Sequence, residues 1–100
     1  MQELDELIHQ PTRLRILVLL SALAEADFTF LLNTFKLSKG NLSVHTTRLE
    51  QAGYIEIEKS FQNKLPHTAY RITDTGRQQL AAYWKSLDAI RAEGDEAMGR

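Results

Sequence analysis

Residues 37–59, LSKGNLSVHTTRLEQAGYIEIEK, decide the fold of this 100-residue chain. The stretch predicts a turn, a helix from about residue 39 to residue 52, and then a strand. Ser38 is placed to cap the helix, because a serine oxygen can accept a hydrogen bond from an unpaired amide of the first turn. Gly53 predicts the end of the helix, since glycine adopts a left-handed backbone without a steric penalty.

This helix has two different faces. Leu42, Thr46 and Leu49 recur at spacings of four and three, so they share a face that is predicted to pack on a core. The opposite face combines short polar groups, a methyl surface and two cations, and consists of Lys39, Gly40, Asn41, Ser43, Val44, Thr47 and Arg48. Such a face suits the donors, acceptors and thymine methyl groups of a DNA major groove. The alternative interpretation is a solvated helix face that happens to lack acids.

Two short runs after the helix alternate apolar and polar residues, at positions 54–59 and 68–72, and predict two strands. The intervening SFQNKLPH, residues 60–67, contains the turn-prone Asn63 and Pro66. We therefore expect a β-hairpin with a mobile tip. Beside a groove-reading helix, this tip would bring Lys64, and with it His67, close to a phosphate backbone.

Residues 37–76 resemble the winged-helix DNA-binding domains of bacterial and archaeal transcriptional regulators of the MarR and ArsR type. The shared pattern is LSxGNLSxHxxxLExAGYIxIxK, then a hairpin with a proline, here Pro66, and then YRxTxxGR at residues 70–77. The resemblance implies dimers that repress or activate transcription at partly palindromic operators. It also implies that the second helix of the motif lies in the major groove and the hairpin lies against the minor groove or backbone.

By this resemblance the polar outer face, residues 39–41, 43, 44, 47 and 48, falls at or near DNA. The chain departs from its relatives at two positions. Val44 stands where they usually carry a long basic residue, which would lower affinity for phosphate. Thr46 stands where they usually carry a core leucine, which would leave the helix less firmly packed.

The expected fold is α+β and mostly α. It is a winged helix-turn-helix with a three-helix core, a β-hairpin wing and a long C-terminal helix, in one domain that spans residues 1–100. The predicted bounds are 11–24 for the first helix, 30–52 for the helix-turn-helix, 54–72 for the hairpin and 74–93 for the last helix. Pro11 suits the first turn of the first helix.

The last helix carries an apolar stripe that is too long for a domain of this size to cover, so we expect a homodimer. Its predicted interface joins that stripe to the N-terminal segment and consists of Leu4, Leu7, Ile8, Leu80, Tyr83, Trp84, Leu87 and Ile90. Any small-molecule effector would bind at this interface, around Tyr83 and Trp84. The sequence does not tell whether such an effector exists.

Composition narrows the possible functions. With 43% hydrophobic and 25% charged residues, the chain can form one globular domain. The absence of cysteine excludes disulfides and thiolate metal sites. The three histidines fall in different elements, so we expect no metal and no cofactor, and His45 is interpreted as a half-buried ring bonded to a neighbouring element. No apolar run approaches the roughly 20 residues of a membrane span, and the acidic start is unlike a signal peptide, which favours a cytoplasmic protein.

A formal charge of −1 is unusual for a DNA-binding protein, but the charge of this chain is distributed unevenly. Residues 28–85 carry eight basic and four acidic side chains, a balance of +4, whereas the two flanks together carry four basic and nine acidic side chains, a balance of −5. The predicted reading surface is therefore locally positive, and the acidic ends would confine DNA contact to the middle of the chain.

The sequence also bears on two other classes of function, catalysis and protein interaction. Catalysis is not expected, because Ser43 and His45 lie two positions apart on a helix and point to different sides, and because no GxGxxG, GxxxxGK or HExxH motif occurs. The main alternative is a winged-helix module for protein interaction or assembly that binds no DNA, since this fold also serves such roles. The acidic flanks fit that alternative.

Overall fold

The computed structural model describes residues 3–99, so the outermost residues of the predicted domain lie outside it. The elements in chain order are α1 (Pro11–Ala22), β1 (Ala26–Asp27), α2 (Phe28–Phe35), α3 (Lys39–Gln51), β2 (Ile55–Gln62), β3 (Leu65–Ile72) and α4 (Asp74–Ala97). The strands form one antiparallel sheet in the order β1-β3-β2. This arrangement is the predicted winged helix-turn-helix, with the hairpin β2–β3 as its wing.

The first helix supplies the centre of the core. Pro11 occupies its first turn, and the side chain of Gln10 accepts a hydrogen bond of 2.8 Å from the amide of Arg13. Three apolar residues of this helix are fully buried, namely Ile16, Leu17 and Leu20. The helix ends at Ala22, two residues before the predicted end.

The second helix begins at Phe28 rather than at the predicted Phe30. The reason lies in Asp27, whose carboxylate accepts a hydrogen bond of 2.8 Å from the amide of Phe30 and so caps the helix. The same residue is the last of β1, where it pairs with Ala69 of β3. Strand and helix therefore follow each other without a linker.

The wing spans almost the predicted residues, but its strands are longer and its turn is shorter than predicted. Its two strands of eight residues each are joined by a turn of only two residues, Asn63 and Lys64, with φ angles of 52° and 65°. Residues that were predicted to form the loop pair across the hairpin instead, and Phe61 lies opposite Pro66. Two left-handed residues give a turn whose twist matches that of the strands, which allows this continuation.

The start of α4 is fastened to the end of α3. The hydroxyl of Thr73 donates to the carbonyl of Gly53 at 2.6 Å and accepts from the amide of Gly76 at 2.9 Å. The amide of Thr73 donates to the carbonyl of Tyr54 at 3.0 Å. A Cβ atom on Gly76 would lie 2.1 Å from that same carbonyl oxygen, so this close approach requires glycine. The two helices thus share one backbone junction.

The far end of α4 leaves the domain. The helix continues to Ala97 instead of ending near the predicted Glu93, and residues 90–99 are all exposed. The described chain measures 63 × 26 × 21 Å and has a radius of gyration of 16.1 Å. A compact domain of this length would have a radius of gyration of about 13 Å. The difference reflects the projecting helix.

Candidate nucleic-acid interface

The outer face of α3 is open to solvent. All seven residues that were predicted to form it are exposed: Lys39, Gly40, Asn41, Ser43, Val44, Thr47 and Arg48. On the inner face Leu42, Thr46 and Leu49 are buried, as their spacing predicted. The helix therefore presents two cations and several short donors outward while its other side is fixed to the core.

The start of α3 and its middle are held by side-chain hydrogen bonds. The hydroxyl of Ser38 accepts from the amide of Asn41 at 3.1 Å, which confirms the predicted cap. The buried hydroxyl of Thr46 donates to the carbonyl of Leu42 at 2.9 Å. Because that hydroxyl has a partner within its own helix, the threonine in the core leaves no unpaired polar group behind.

The end of α3 has the predicted glycine stop. Gly53 has a φ of 80°, its amide donates to the carbonyl of Glu50 at 2.9 Å, and the amide of Tyr54 donates to the carbonyl of Leu49 at 3.0 Å. The hydroxyl of Tyr54 then donates to the carboxylate of Asp5 at 2.5 Å. Burial, together with this bond, raises the pKa of Tyr54 to about 12.

A buried arginine connects α3 to the rest of the domain. The Nε of Arg13 donates to the carbonyl of Leu7 at 2.6 Å, and its Nη1 lies 3.2 Å from Nδ1 of His45. A guanidinium can only donate, so Nδ1 accepts and the proton of the neutral ring lies on Nε2. Burial, followed by the positive charges of Arg13 and Arg48, lowers the pKa of His45 and so favours the neutral ring.

His45 thus has the half-buried, bonded role that was predicted from the sequence. Sequence reasoning missed its partner Arg13. Its helical spacing could have indicated this role. Arg13 precedes the buried Ile16, Leu17 and Leu20 by three, four and seven positions and therefore lies on the same face of α1.

A groove of 550 Å³ separates α3 from the wing. Its rims carry Ser43, Thr47 and Glu50 from α3 and Lys59 and Thr68 from the wing, above a floor of Phe28, Thr46, Ile57 and Tyr70. Ser43 lies in this groove, whereas His45 bonds Arg13 on the other side of α3, so the two do not form a dyad. The rims of the groove therefore offer hydroxyls and one cation, which are groups that can bind phosphate oxygens, beside one carboxylate.

The two faces of the wing differ in charge. Lys59 and Thr68 face the groove, and alternation along the strands turns Glu58, His67 and Arg71 to the opposite face. There Arg71 lies 3.0 Å from Glu25, 3.6 Å from Glu58 and 3.9 Å from Glu56. One cation among three carboxylates leaves this outer face acidic. His67 therefore lies away from the groove, contrary to the expectation that it would accompany Lys64 toward a phosphate backbone.

Lys64 stands at the tip of the wing and is exposed, as predicted. Its left-handed backbone, with a φ of 65°, is unusual for a residue with a Cβ atom. Lys64 therefore adds an exposed cation at the end of the hairpin, between the last residue of β2 and the first residue of β3.

Part of the predicted dimer interface is already used inside one chain. Ile8, Leu80 and Tyr83 belong to the hydrophobic core, and the hydroxyl of Tyr83 lies 2.7 Å from Nδ1 of His9. These three side chains cannot offer an exposed face to a second copy, because the first turns of α4 cover α1 and the N-terminal segment. Half-buried Leu4, Leu7 and Leu87 pack at the margin of the core.

The exposed remainder of the stripe is Trp84 and Ile90, which are 43% and 38% exposed. Trp84 borders an apolar hollow of 380 Å³ with Leu14, Val18, Leu19 and Phe35. Tyr83 lines a separate hollow of 250 Å³ beside His9 and Pro11. The two rings that were predicted to surround an effector therefore open into different hollows in residues 3–99.

Within the part of the chain that the structure describes, no helix is long and apolar enough to cross a membrane. Over the same residues, no group of three or more histidine, aspartate or glutamate side chains is arranged to hold a metal ion.

Comparisons with known proteins agree with this geometry. A family model described as a winged helix DNA-binding domain matches residues 12–90. An uncharacterized protein of Methanocaldococcus jannaschii is 32% identical over 78 residues, which cover 78% of this chain and 85% of that protein.

Solved structures share the fold. A transcriptional regulator homologue from Pyrococcus horikoshii OT3 superimposes with a TM-score of 0.82 at 28% identity, over 91% of this chain and 90% of that chain. The transcriptional regulator BldR from Sulfolobus solfataricus gives a TM-score of 0.68 at 19% identity, over 84% of this chain and 59% of that chain. With an open outer face on α3, a wing beside it and a family model matched from α1 into α4, the chain belongs to the winged-helix DNA-binding domain family.

Proposed function

We propose that this chain is a sequence-specific, double-stranded DNA-binding transcriptional regulator that acts as a homodimer. The observation that carries the proposal is the outer face of α3, which is exposed along its whole length and has no carboxylate from residue 39 to residue 49. The regulator homologue of Pyrococcus horikoshii, which aligns over nine tenths of both chains, supports the regulatory part.

Each side chain of the outer face has a role in this proposal. Arg48 can make a bidentate contact with a guanine, and Asn41 can do so with an adenine. Val44 offers a methyl surface to thymine. Lys39 and the slim Gly40 lie in the first turn of α3, where backbone amides and a cation together favour a phosphate. Ser43 and Thr47 face the groove beside the wing and suit backbone oxygens.

The wing completes the contact in the same proposal. Lys59 and Lys64 place two cations on the groove side and at the tip of the hairpin. The opposite face, where Arg71 is shared among three carboxylates, would be repelled by a duplex. DNA would therefore enter between α3 and the wing.

The dimer is proposed from the projecting part of α4. Trp84 and Ile90 remain exposed after the chain has folded, and Trp84 borders an apolar hollow that continues onto α1. Covering these surfaces with a second copy would bring two α3 helices onto one face of a duplex. Two half-sites read together add their binding free energies, which offsets the modest local charge of one chain.

The test is duplex binding at several salt concentrations, using a fragment selected from random DNA by the unmodified protein. Phosphate contacts make affinity fall as salt rises. Arg48→Ala should weaken binding by about 1 to 3 kcal/mol and relax the preference for one base pair. Lys64→Ala should weaken binding to all sequences alike and reduce the salt slope by about one.

Lys85→Ala is the matched control, because it removes one exposed cation from α4, which is outside the proposed reading surface of α3 and the wing. Its affinity should equal that of the parent. If Arg48→Ala and Lys64→Ala also bind like the parent, the proposed reading surface is wrong.

A second function is favoured by one observation, the acidic outer face of the sheet around Arg71. A winged helix that uses such a face could be a protein-interaction or assembly module that binds no DNA. That alternative requires duplex binding that is negligible at low salt, whereas the first proposal requires binding that strengthens as salt is lowered.

A further inference from the structure

The wing ends in two large apolar side chains that the groove and the cations do not explain. Both lie within three residues of the turn. Phe61 is 76% exposed and Leu65 is 68% exposed. Apolar side chains at this degree of exposure contribute little to the stability of the folded chain. The two side chains point to opposite faces of the wing, and only the face of Phe61 borders the groove beside α3.

Phe61 projects from the groove side of the wing. Ile57 and Lys59 line the groove, and alternation along β2 places Phe61 on the same side. Its cross-strand partner Pro66 continues the row of Tyr70 and Thr68. Leu65 pairs with Gln62 and therefore points to the opposite side, which carries the acidic cluster around Arg71.

The distance suits a groove next to the one that α3 would read. Ile57 lines the groove beside α3 and is the last half-buried residue of β2. Phe61 lies four residues farther along the strand, which corresponds to about 13 Å. Adjacent major and minor grooves are separated by half a helical turn, about 17 Å. With the reach of its side chain, a ring at this position can contact the neighbouring minor groove.

Charge selects DNA over other occupants of this surface. Lys59 precedes Phe61 on the same face, and Lys64 follows it at the tip, so the ring is flanked by two cations and has no acidic residue on its strand face. An apolar side chain between cations suits a duplex, in which phosphates border the apolar edges of sugars and stacked bases.

We propose that Phe61 is an apolar wedge for the minor groove of the duplex that α3 reads, and that it bends this duplex at a flexible pyrimidine–purine step. The inference rests on the proposed DNA-binding function. The wedge adds sequence preference outside the major-groove contacts, because the cost of opening a base step depends on the step. Leu65 has no such role.

The experiment compares Phe61→Ala, Phe61→Leu and Leu65→Ala on a selected duplex that carries a fluorophore at each end. The parent should shorten the distance between the ends. Phe61→Ala should reduce the bend by about 20° or more and weaken binding by about tenfold. Phe61→Leu should keep most of the bend, because leucine also serves as a wedge. Leu65→Ala, the matched control, should bend DNA like the parent.

Several results would overturn the inference. If Phe61→Ala and Leu65→Ala give equal bends and affinities, Phe61 makes no wedge. If Phe61→Ala lowers the oligomeric state in sedimentation and leaves the bend intact, the ring packs between copies of the chain. If the parent protein binds no duplex, both the proposed function and this inference are wrong. If Arg48→Ala weakens duplex binding but Phe61→Ala changes neither affinity nor bend, only this inference is wrong.

Discussion

The two ends of α4 are built in opposite ways. At its start, Thr73 and Gly76 approach the backbone of Gly53 and Tyr54 so closely that a single methyl group would not fit. At its far end, residues 90–99 are exposed to solvent. One helix is therefore held by its own chain over its first turns and exposed to solvent over its last ones.

Alanine substitutions at two glycines, one near each end of α4, should have opposite effects on stability. Gly76→Ala should destabilise the fold by about 3 kcal/mol or more, because a Cβ atom would lie 2.1 Å from the carbonyl oxygen of Tyr54. Gly94→Ala should stabilise the chain by about 0.5 to 1 kcal/mol, since a Cβ atom there would meet nothing within 4 Å beyond its chain neighbours and its own helix backbone, and alanine favours helix. Thermal and urea unfolding followed by circular dichroism measure both. Equal effects at the two sites would remove the contrast.

The free end of α4 can be tested through association. Ile90→Asp should leave the monomer folded, because this side chain is 38% exposed, and should weaken the proposed dimer at least about tenfold. Ala92→Asp introduces the same charge on a different side of the helix and is the matched control. Sedimentation equilibrium at micromolar concentration gives both dissociation constants. A parent that is monomeric, or two variants that associate equally well, would contradict the proposed interface.

A smaller effect should appear where α1 anchors α3, on titration of His45. Burial and the charges of Arg13 and Arg48 lower the pKa of this ring in the folded chain, so the unfolded chain binds more protons at mildly acidic pH. The free energy of unfolding should therefore fall as pH drops below about 6.5, and level off below the pKa of the folded state.

His45→Gln offers a carbonyl oxygen to Arg13 and does not titrate. Its free energy of unfolding should be less dependent on pH than that of the parent between about pH 5 and pH 7, and parent and variant should show the same dependence above that range. Urea unfolding at a series of pH values measures the difference. Identical slopes for the two proteins would show that His45 keeps the same pKa in both states.

The sequence predicts well whatever depends on local chemistry. Ser38 and Gly53 bound α3 because a hydroxyl cap and a left-handed glycine each act within a few residues. The burial of Leu42 and Leu49 follows from helical spacing alone. The outer face of α3 could be named for the same reason, since it is the complement of the buried one.

The point at which the two strands of the wing meet the turn could not be predicted in the same way. Residues 60–67 were interpreted as a loop because they are polar and contain a proline, yet pairing continues up to Asn63 and Lys64. Pro66 is tolerated because β1 pairs with β3 only at Ala69 and Tyr70, so the other side of Pro66 needs no amide donor. That information lies in the sheet topology and not in the local sequence.

The partner of an apolar stripe is equally invisible in a sequence. Leu80, Tyr83, Trp84 and Ile90 share one helical pattern, but the first two pack inside the chain and the last two remain exposed. Periodicity shows which face of a helix seeks cover and does not show whether the same chain supplies it. Arg13 shows that the buried face of a helix can also contain a charged residue. This is possible because Leu7 and His45 offer it hydrogen-bond acceptors inside the domain.

The junction at Gly76 gives α4 the properties of a lever arm. A helix of 24 residues is about 36 Å long, and no flexible linker separates its fixed end from α3. In the proposed dimer the arms would meet near Ile90, about 21 Å along the helix from Gly76, and a change of only 10° in their crossing angle would move an α3 helix by about 4 Å. That displacement is about one tenth of a DNA helical turn. A change in the angle between the two α4 helices would therefore move the two α3 helices away from their half-sites, even if it altered no residue of α3.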